Sequence, residues 1–197
     1  MENKQTLTRE QSLELITSMI SRAKNDYYDT GISALFWGTL IPFCSLVTFF
    51  NYYWKSRLLV HIWLITFVAF IPQILISARE RKLRRYKGYH EDMIGGIWIS
   101  YAIAVSIMTY FGYLNNNFNA NFLYLILYGI PTFATGYAKR FVPMIVGGIA
   151  CWVFAIVSFY TPWPYVMLYS AAGSLLAWFI PGLILRKRYL KAKRQHV

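Results

Sequence analysis

Three isoleucine–proline steps are the residues of this sequence with the clearest capacity for binding chemistry. Each lies in an apolar stretch that is followed by lysine and arginine, and they are Ile71-Pro72, Ile130-Pro131 and Ile180-Pro181. A proline inside a helix has no N–H to donate and displaces the carbonyl four residues earlier, so the helix bends there. The carbonyls released in this way would be those of Val68, Leu127 and Ala177.

Released carbonyls inside an apolar helix bundle need a polar partner, and a cation or a small ligand could supply one. The side chains of Gln73 and Tyr128 lie close to these prolines in the sequence. The predicted cavity or kink residues are therefore Pro72, Gln73, Tyr128, Pro131 and Pro181. Thr132 and Ser174 could assist them. The alternative interpretation is that the prolines only shape the bundle, since proline is common in membrane helices.

Catalytic chemistry is poorly represented. His61, His90 and His196 are isolated in the sequence, and Cys44 and Cys151 have neither a CxxC spacing nor a nearby histidine. Sequence motifs for zinc proteases, phosphate-binding loops and serine hydrolases do not occur. We therefore predict a protein that is not an enzyme, with no catalytic residue, no cofactor and no metal site.

The composition identifies the elements that would carry these residues. Of the 197 residues, 57% are hydrophobic and only 14% are charged, against roughly 25% charged in an ordinary globular protein. Stretches of about 20 apolar residues are long enough to cross a bilayer as helices. We predict an all-α membrane protein of six such helices, in a bundle over 31–185, at residues 31–53, 58–78, 93–114, 122–138, 141–161 and 163–185.

The distribution of charge predicts the orientation. Eighteen of the 20 lysines and arginines fall in segments on one side of a six-span arrangement, including the basic tail 186–197, and the other two are Lys55 and Arg57. Basic segments stay in the cytoplasm. The expected protein is a multi-pass inner-membrane protein with both termini cytoplasmic. Because this sorting explains the net charge of +12, nucleic acid is not an expected partner.

The six stretches form three helical hairpins, and an Ile-Pro step lies near the cytoplasmic end of each even-numbered stretch. The second and third hairpins resemble each other as repeats, since Gly95-Gly96-Ile97 recurs as Gly147-Gly148-Ile149. Both glycine pairs, and the Ala34 and Gly38 spacing in the first stretch, predict close helix contacts.

Residues 1–30 predict a cytoplasmic amphipathic helix. Thr8 and Gln11 have the spacing of a capping box, and an apolar stripe follows. The candidate partner face consists of Leu15, Ile16, Met19 and Ile20. This helix could dock on the bundle, lie in the membrane interface or bind a soluble protein.

Three segments carry a resemblance to a known family: "QSLELITSMISRAK" (11–24), "LYGIPTFATGYAKRFVPMIVGGIACW" (127–152) and "FIPGLILRKR" (179–188). They resemble a family of small, uncharacterised six-span membrane proteins of Bacteroidota. Members of that family are often encoded beside a winged-helix regulator. The resemblance implies a regulatory setting in a bacterial membrane and implies no site residue.

Two classes of function remain open from the sequence. The first is a sensory, regulatory or partner-binding membrane subunit that contacts the lipid bilayer and a cytoplasmic protein. The second is a small transporter or a substrate-binding membrane component, whose ligand would lie beside the proline steps.

Overall fold

The computed structural model describes residues 29–55, 61–83, 89–114 and 121–195, together with Thr8. The described chain is all-helical and contains no strand, so the all-α part of the predicted fold class is confirmed. The α-helices are α1 (Ile32–Tyr53), α2 (Ile65–Val68), α3 (Phe70–Leu83), α4 (Tyr89–Leu114), α5 (Asn121–Ala138), α6 (Val142–Phe159), α7 (Val166–Ser174) and α8 (Ile180–Gln195). A 3₁₀ turn, Ile62–Leu64, precedes α2, and a π segment, Leu175–Phe179, joins α7 to α8.

Five helical stretches of the described chain are long and apolar enough to cross a membrane, which suggests a multi-pass membrane protein. They are Ile32–Tyr53, Ile62–Glu80, Asp92–Gly112, Val142–Phe159 and Val166–Arg194. The stretch predicted at 122–138 is a helix, α5, but it is not among the five. Threonine, glycine and tyrosine interrupt its apolar residues, and several of these side chains are buried against protein.

Helix α7, the π segment and α8 follow one another without a gap and are together called the last helix. Helix α1 runs antiparallel to it. At one end of this pair the Tyr53 and Tyr165 hydroxyls lie 2.5 Å apart, and at the other end Gly31 lies against the Gly182 carbonyl. The centre of the bundle is a cluster of buried side chains from α1, α5, α6 and the last helix: Ile41, Leu125, Tyr128, Cys151, Ala155, Ala177 and Trp178.

Small residues allow the backbones to approach closely. A Cβ atom at Gly38 would lie 2.4 Å from the backbone nitrogen of Phe179, and one at Gly147 would lie 2.5 Å from the carbonyl oxygen of Leu176. A Cβ atom at Gly148 would lie 2.8 Å from the Cβ atom of Phe133 in α5. The close contacts predicted at Gly38 and Gly147-Gly148 are therefore confirmed.

The other predicted glycine contact is wrong within the described chain. A Cβ atom at Gly95 or Gly96 would meet no described atom within 4 Å. Helix α4 lies at the edge of the bundle, and none of its span Asp92–Gly112 is buried.

The amino-terminal segment, with its candidate partner face Leu15, Ile16, Met19 and Ile20, lies outside the described residues. At the other terminus, α8 continues as helix through the predicted basic tail to Gln195.

Candidate functional site

The three predicted proline steps have three different backbone forms. Before Pro72 the helix is interrupted at Ala69, between α2 and α3. Helix α5 continues through Pro131 without interruption. Pro181 follows the π segment, in which the Ile180 N–H donates to the Leu175 carbonyl five residues earlier. A proline in a helix is therefore accommodated here by a break, by continuation or by a wider turn, depending on its neighbours.

A fourth step, Ile41-Pro42, lies in α1 and was missed. Pro42 is buried inside that helix. The signal was available, because the dipeptide is the same as in the other three stretches. An Ile-Pro step therefore occurs in the first stretch as well as near the ends of the even-numbered stretches.

Gln73 is joined to α1 by its amide group. Its Oε1 accepts a hydrogen bond from the Trp37 indole N–H at 3.0 Å, and its Nε2 donates to Ser33 Oγ at 3.1 Å and to Ser77 Oγ at 3.0 Å. The helix break at Ala69 lies one turn earlier, so Gln73 follows the irregular part of the backbone. The amide thus fastens α3 to α1, and both of its polar atoms already have partners within the protein.

Tyr128 belongs to a cluster of four rings, the aromatic cluster, which consists of Trp98, Tyr101, Tyr128 and Trp178. The centroids of Tyr128 and Trp178 are 4.8 Å apart, and Tyr101 meets both of these rings at 6.2 and 6.4 Å. Trp98 is edge-on to Tyr101 at 5.5 Å. These distances are those of aromatic side chains in direct packing contact, so the rings fill the interior against one another.

Threonines of α5 bind the indoles of the aromatic cluster. Thr132 Oγ1 accepts from the Trp178 indole N–H at 2.8 Å and donates to the Tyr128 carbonyl at 2.7 Å. Three residues later, Thr135 Oγ1 accepts from the Trp98 indole N–H at 3.0 Å. Sequence reasoning missed these pairs. The available signal was the spacing of Thr132 and Thr135, which places two hydroxyls on one face of an apolar helix.

The predicted site residues do not form one constellation. Gln73, next to Pro72, is bonded to α1, whereas Tyr128 and Pro131 lie in α5, where Tyr128 packs against Trp178. The connection between the two groups is Trp37, which binds Gln73 and packs against the central cluster. The assisting hydroxyl of Ser174 donates to the carbonyls of its own helix, at 2.8 and 3.0 Å.

Charged and polar contacts hold the helices together at the end of the bundle where α1 begins. Lys139 Nζ lies 2.6 Å from Asp29 Oδ2, with 14% and 17% of the two side chains exposed. The hydroxyl of Thr30 donates to the Glu80 carboxylate. The α5–α6 turn and helix α3 are thus both joined to the start of α1.

Within the part of the chain that the structure describes, no group of three or more histidine, cysteine, aspartate or glutamate side chains could hold a metal ion. Cys44 and Cys151 are both buried as free thiols. No protein-family model matches the sequence, and neither a curated protein nor a solved structure matches it.

Proposed function

We propose that this chain is a non-enzymatic inner-membrane protein of six membrane helices, with both termini in the cytoplasm, and that it acts as a regulatory or partner-binding subunit. Helix α5 is the sixth span in this arrangement. A helix surrounded by other helices needs fewer apolar side chains than one that faces lipid, which is consistent with its buried threonines and glycines.

The observation that carries this proposal is the internal pairing of the polar side chains beside the prolines. Gln73, Thr132 and Ser174 are the groups that a ligand notch would use, and each is hydrogen-bonded to another group of the protein. A site selected for ligand binding would direct polar atoms towards the ligand. Pairing of this kind favours a bundle whose function lies at its surface and termini.

A transporter or substrate-binding component is the second candidate, and the irregular helices favour it. The break at Ala69 and the π segment Leu175–Phe179 interrupt two of the spans, and interrupted helices form the substrate sites of many transporters. The Gln73 amide beside the first irregularity is already bonded on both sides, which makes this candidate the weaker one.

The orientation is tested with two matched cysteine variants, Lys55→Cys and Arg140→Cys. Both residues are exposed, basic and in the left-handed backbone region, with φ of 47° and 50°. In cells with a permeabilised outer barrier, a membrane-impermeant thiol reagent should label the first variant and leave the second unlabelled. The native cysteines are buried and should not react. Labelling of Arg140→Cys alone would reverse the proposed orientation.

The partner-binding role is tested on the amino-terminal segment. We expect Met19→Asp with Ile20→Asp to remove a crosslinked cytoplasmic partner, because charge on the apolar stripe prevents its burial. The matched control is Ser18→Asp with Ser21→Asp, which adds equal charge to the polar face. Retention of every crosslinked partner by the stripe variant would reject the segment as a binding element.

A further inference from the structure

The second half of the chain carries charge of one sign only. After Asp92 the sequence has eight lysines and arginines and no aspartate or glutamate. We name these residues the basic end, and they are Lys139, Arg140, Arg186, Lys187, Arg188, Lys191, Lys193 and Arg194. The half of the chain that supplies this charge therefore supplies no carboxylate to neutralise it.

Side-chain contacts bring the two parts of the basic end together. The Arg188 guanidinium lies 5.1 Å from the ring centroid of Phe141, which directly follows Arg140. Beneath this contact, Phe141, Met144 and Leu185 form a buried cluster. Orientation by charge requires only that basic residues remain on one side of the membrane. It does not require the two ends of the third hairpin to contact each other through Arg188 and Phe141.

Among the residues that the structure describes, few carboxylates of the first half reach the basic end. Asp29 pairs with Lys139, and Glu80 accepts a hydrogen bond from Thr30. Lys187 and Lys191 are exposed, and neither has a carboxylate partner among the residues that the structure describes. The charges of Lys187 and Lys191 are therefore open to an anion from outside the described chain.

Helix α8 is long enough to carry this charge through a layer of lipid headgroups. The helix continues to Gln195, so the backbone rises by about 12 Å over the eight steps from Arg186 to Arg194. The headgroup layer on each side of the hydrocarbon is about 5–7 Å thick. At physiological salt a charge attracts the lipid phosphates over a further distance of about 8 Å before screening removes the attraction. A rigid helix of this length carries basic side chains through the whole layer.

We propose that the basic end binds the phosphate groups of anionic lipids in the surrounding leaflet. Clustered lysine and arginine beside a membrane helix attract such lipids, by about 1 kcal/mol per residue near the surface, and this corresponds to about a fivefold preference each. The inference goes beyond the proposed function and holds for a regulatory subunit and for a transporter alike.

The test uses the full-length protein in bilayers of phosphatidylcholine that contain spin-labelled phosphatidylglycerol or spin-labelled phosphatidylcholine. The wild type should select the anionic label several-fold over the neutral one, and high salt should abolish the selectivity. Lys187→Gln with Lys191→Gln should lower the selectivity at least twofold. Lys55→Gln with Arg57→Gln removes equal charge from the other loop and should leave the selectivity unchanged.

A second variant, Lys193→Gln with Arg194→Gln, covers the case in which the first fails to fold, because these residues lie further from the bundle. Thermal unfolding in phosphatidylcholine alone shows whether each variant is intact. An intact variant of either pair with undiminished selectivity overturns the proposal. So does a wild type that does not distinguish the two lipids, and an acidic protein would then be the better candidate for this surface.

Discussion

Replacing Thr132 by valine tests whether buried hydrogen bonds to indoles stabilise the interior. Thr132 is 0% exposed and its donor partner Trp178 is 3% exposed. The hydroxyl accepts from the indole N–H at 2.8 Å and donates to the Tyr128 carbonyl at 2.7 Å. Valine has nearly the same shape, so the substitution removes the polar contacts with little change in packing.

The expected loss in the free energy of unfolding is about 2 kcal/mol. Leaving a buried donor without a partner costs about 1–3 kcal/mol, whereas an average hydrogen bond between membrane helices contributes only about 0.6 kcal/mol. In the background of Trp178→Phe there is no indole N–H to leave unpaired. The Thr132→Val substitution should then cost less than about 1 kcal/mol, so the two substitutions should be clearly non-additive.

Thr48→Val is the matched control. Thr48 has the same pair of hydrogen bonds, accepting from the Trp63 indole at 3.0 Å and donating to the Cys44 carbonyl at 2.8 Å, but it is only half-buried. Reversible unfolding in mixed micelles, followed by tryptophan fluorescence, gives the free energies of unfolding. It is measured for the wild type, Thr132→Val, Trp178→Phe, their double variant and the Thr48→Val control. Equal losses at Thr132 and Thr48, with additive effects at Thr132 and Trp178, would refute the argument from burial.

Two further predictions compare neighbouring or repeated positions. Gly147→Ala should lower the free energy of unfolding by about 1–3 kcal/mol, because the new methyl group would meet backbone atoms. Gly95→Ala should be neutral or stabilising in the same micelle assay. Equal effects of the two substitutions would contradict the close approach at Gly147. Lys139→Gln removes the cation that lies 2.6 Å from the largely buried Asp29 carboxylate and should cost about 1–3 kcal/mol. Arg140→Gln, next to it and exposed, should change stability by less than about 0.5 kcal/mol. The order of the two melting temperatures decides the point.

The helices could be predicted from the sequence because bilayer-length apolar stretches leave few alternatives. A segment such as Val142–Phe159 has no charged residue, and a helix satisfies all its backbone groups without a partner strand. Whether α5 faces lipid or other helices was harder to predict. Its stretch is apolar enough to be recognised as a helix, but Thr132, Thr135 and its glycines are buried against other helices.

The pairing of polar groups could not be predicted, because it depends on how the helices are rotated and crossed. Gln73 was recognised as a polar residue beside a proline, but its partners Ser33 and Trp37 lie about 40 positions earlier in the chain. The same limit applied to the aromatic cluster. Whether such rings enclose a ligand or pack on one another follows only from the distances between them.

The two copies of the Gly-Gly-Ile sequence show why a repeat in sequence does not establish equivalent packing. In α6, Gly147 lies against the carbonyl of Leu176 and Gly148 lies against α5, so the helix is held on both sides. In α4, Gly95 and Gly96 meet no described atom within 4 Å. Small residues permit close approach but do not enforce it, since they supply little contact area of their own. The two glycine pairs differ in the helices beside them. Helix α6 lies between α5 and the last helix, whereas α4 lies at the edge of the described bundle. The third hairpin, from α6 to α8, packs closely at Gly147 in the interior and again at Phe141 and Arg188 in the basic end.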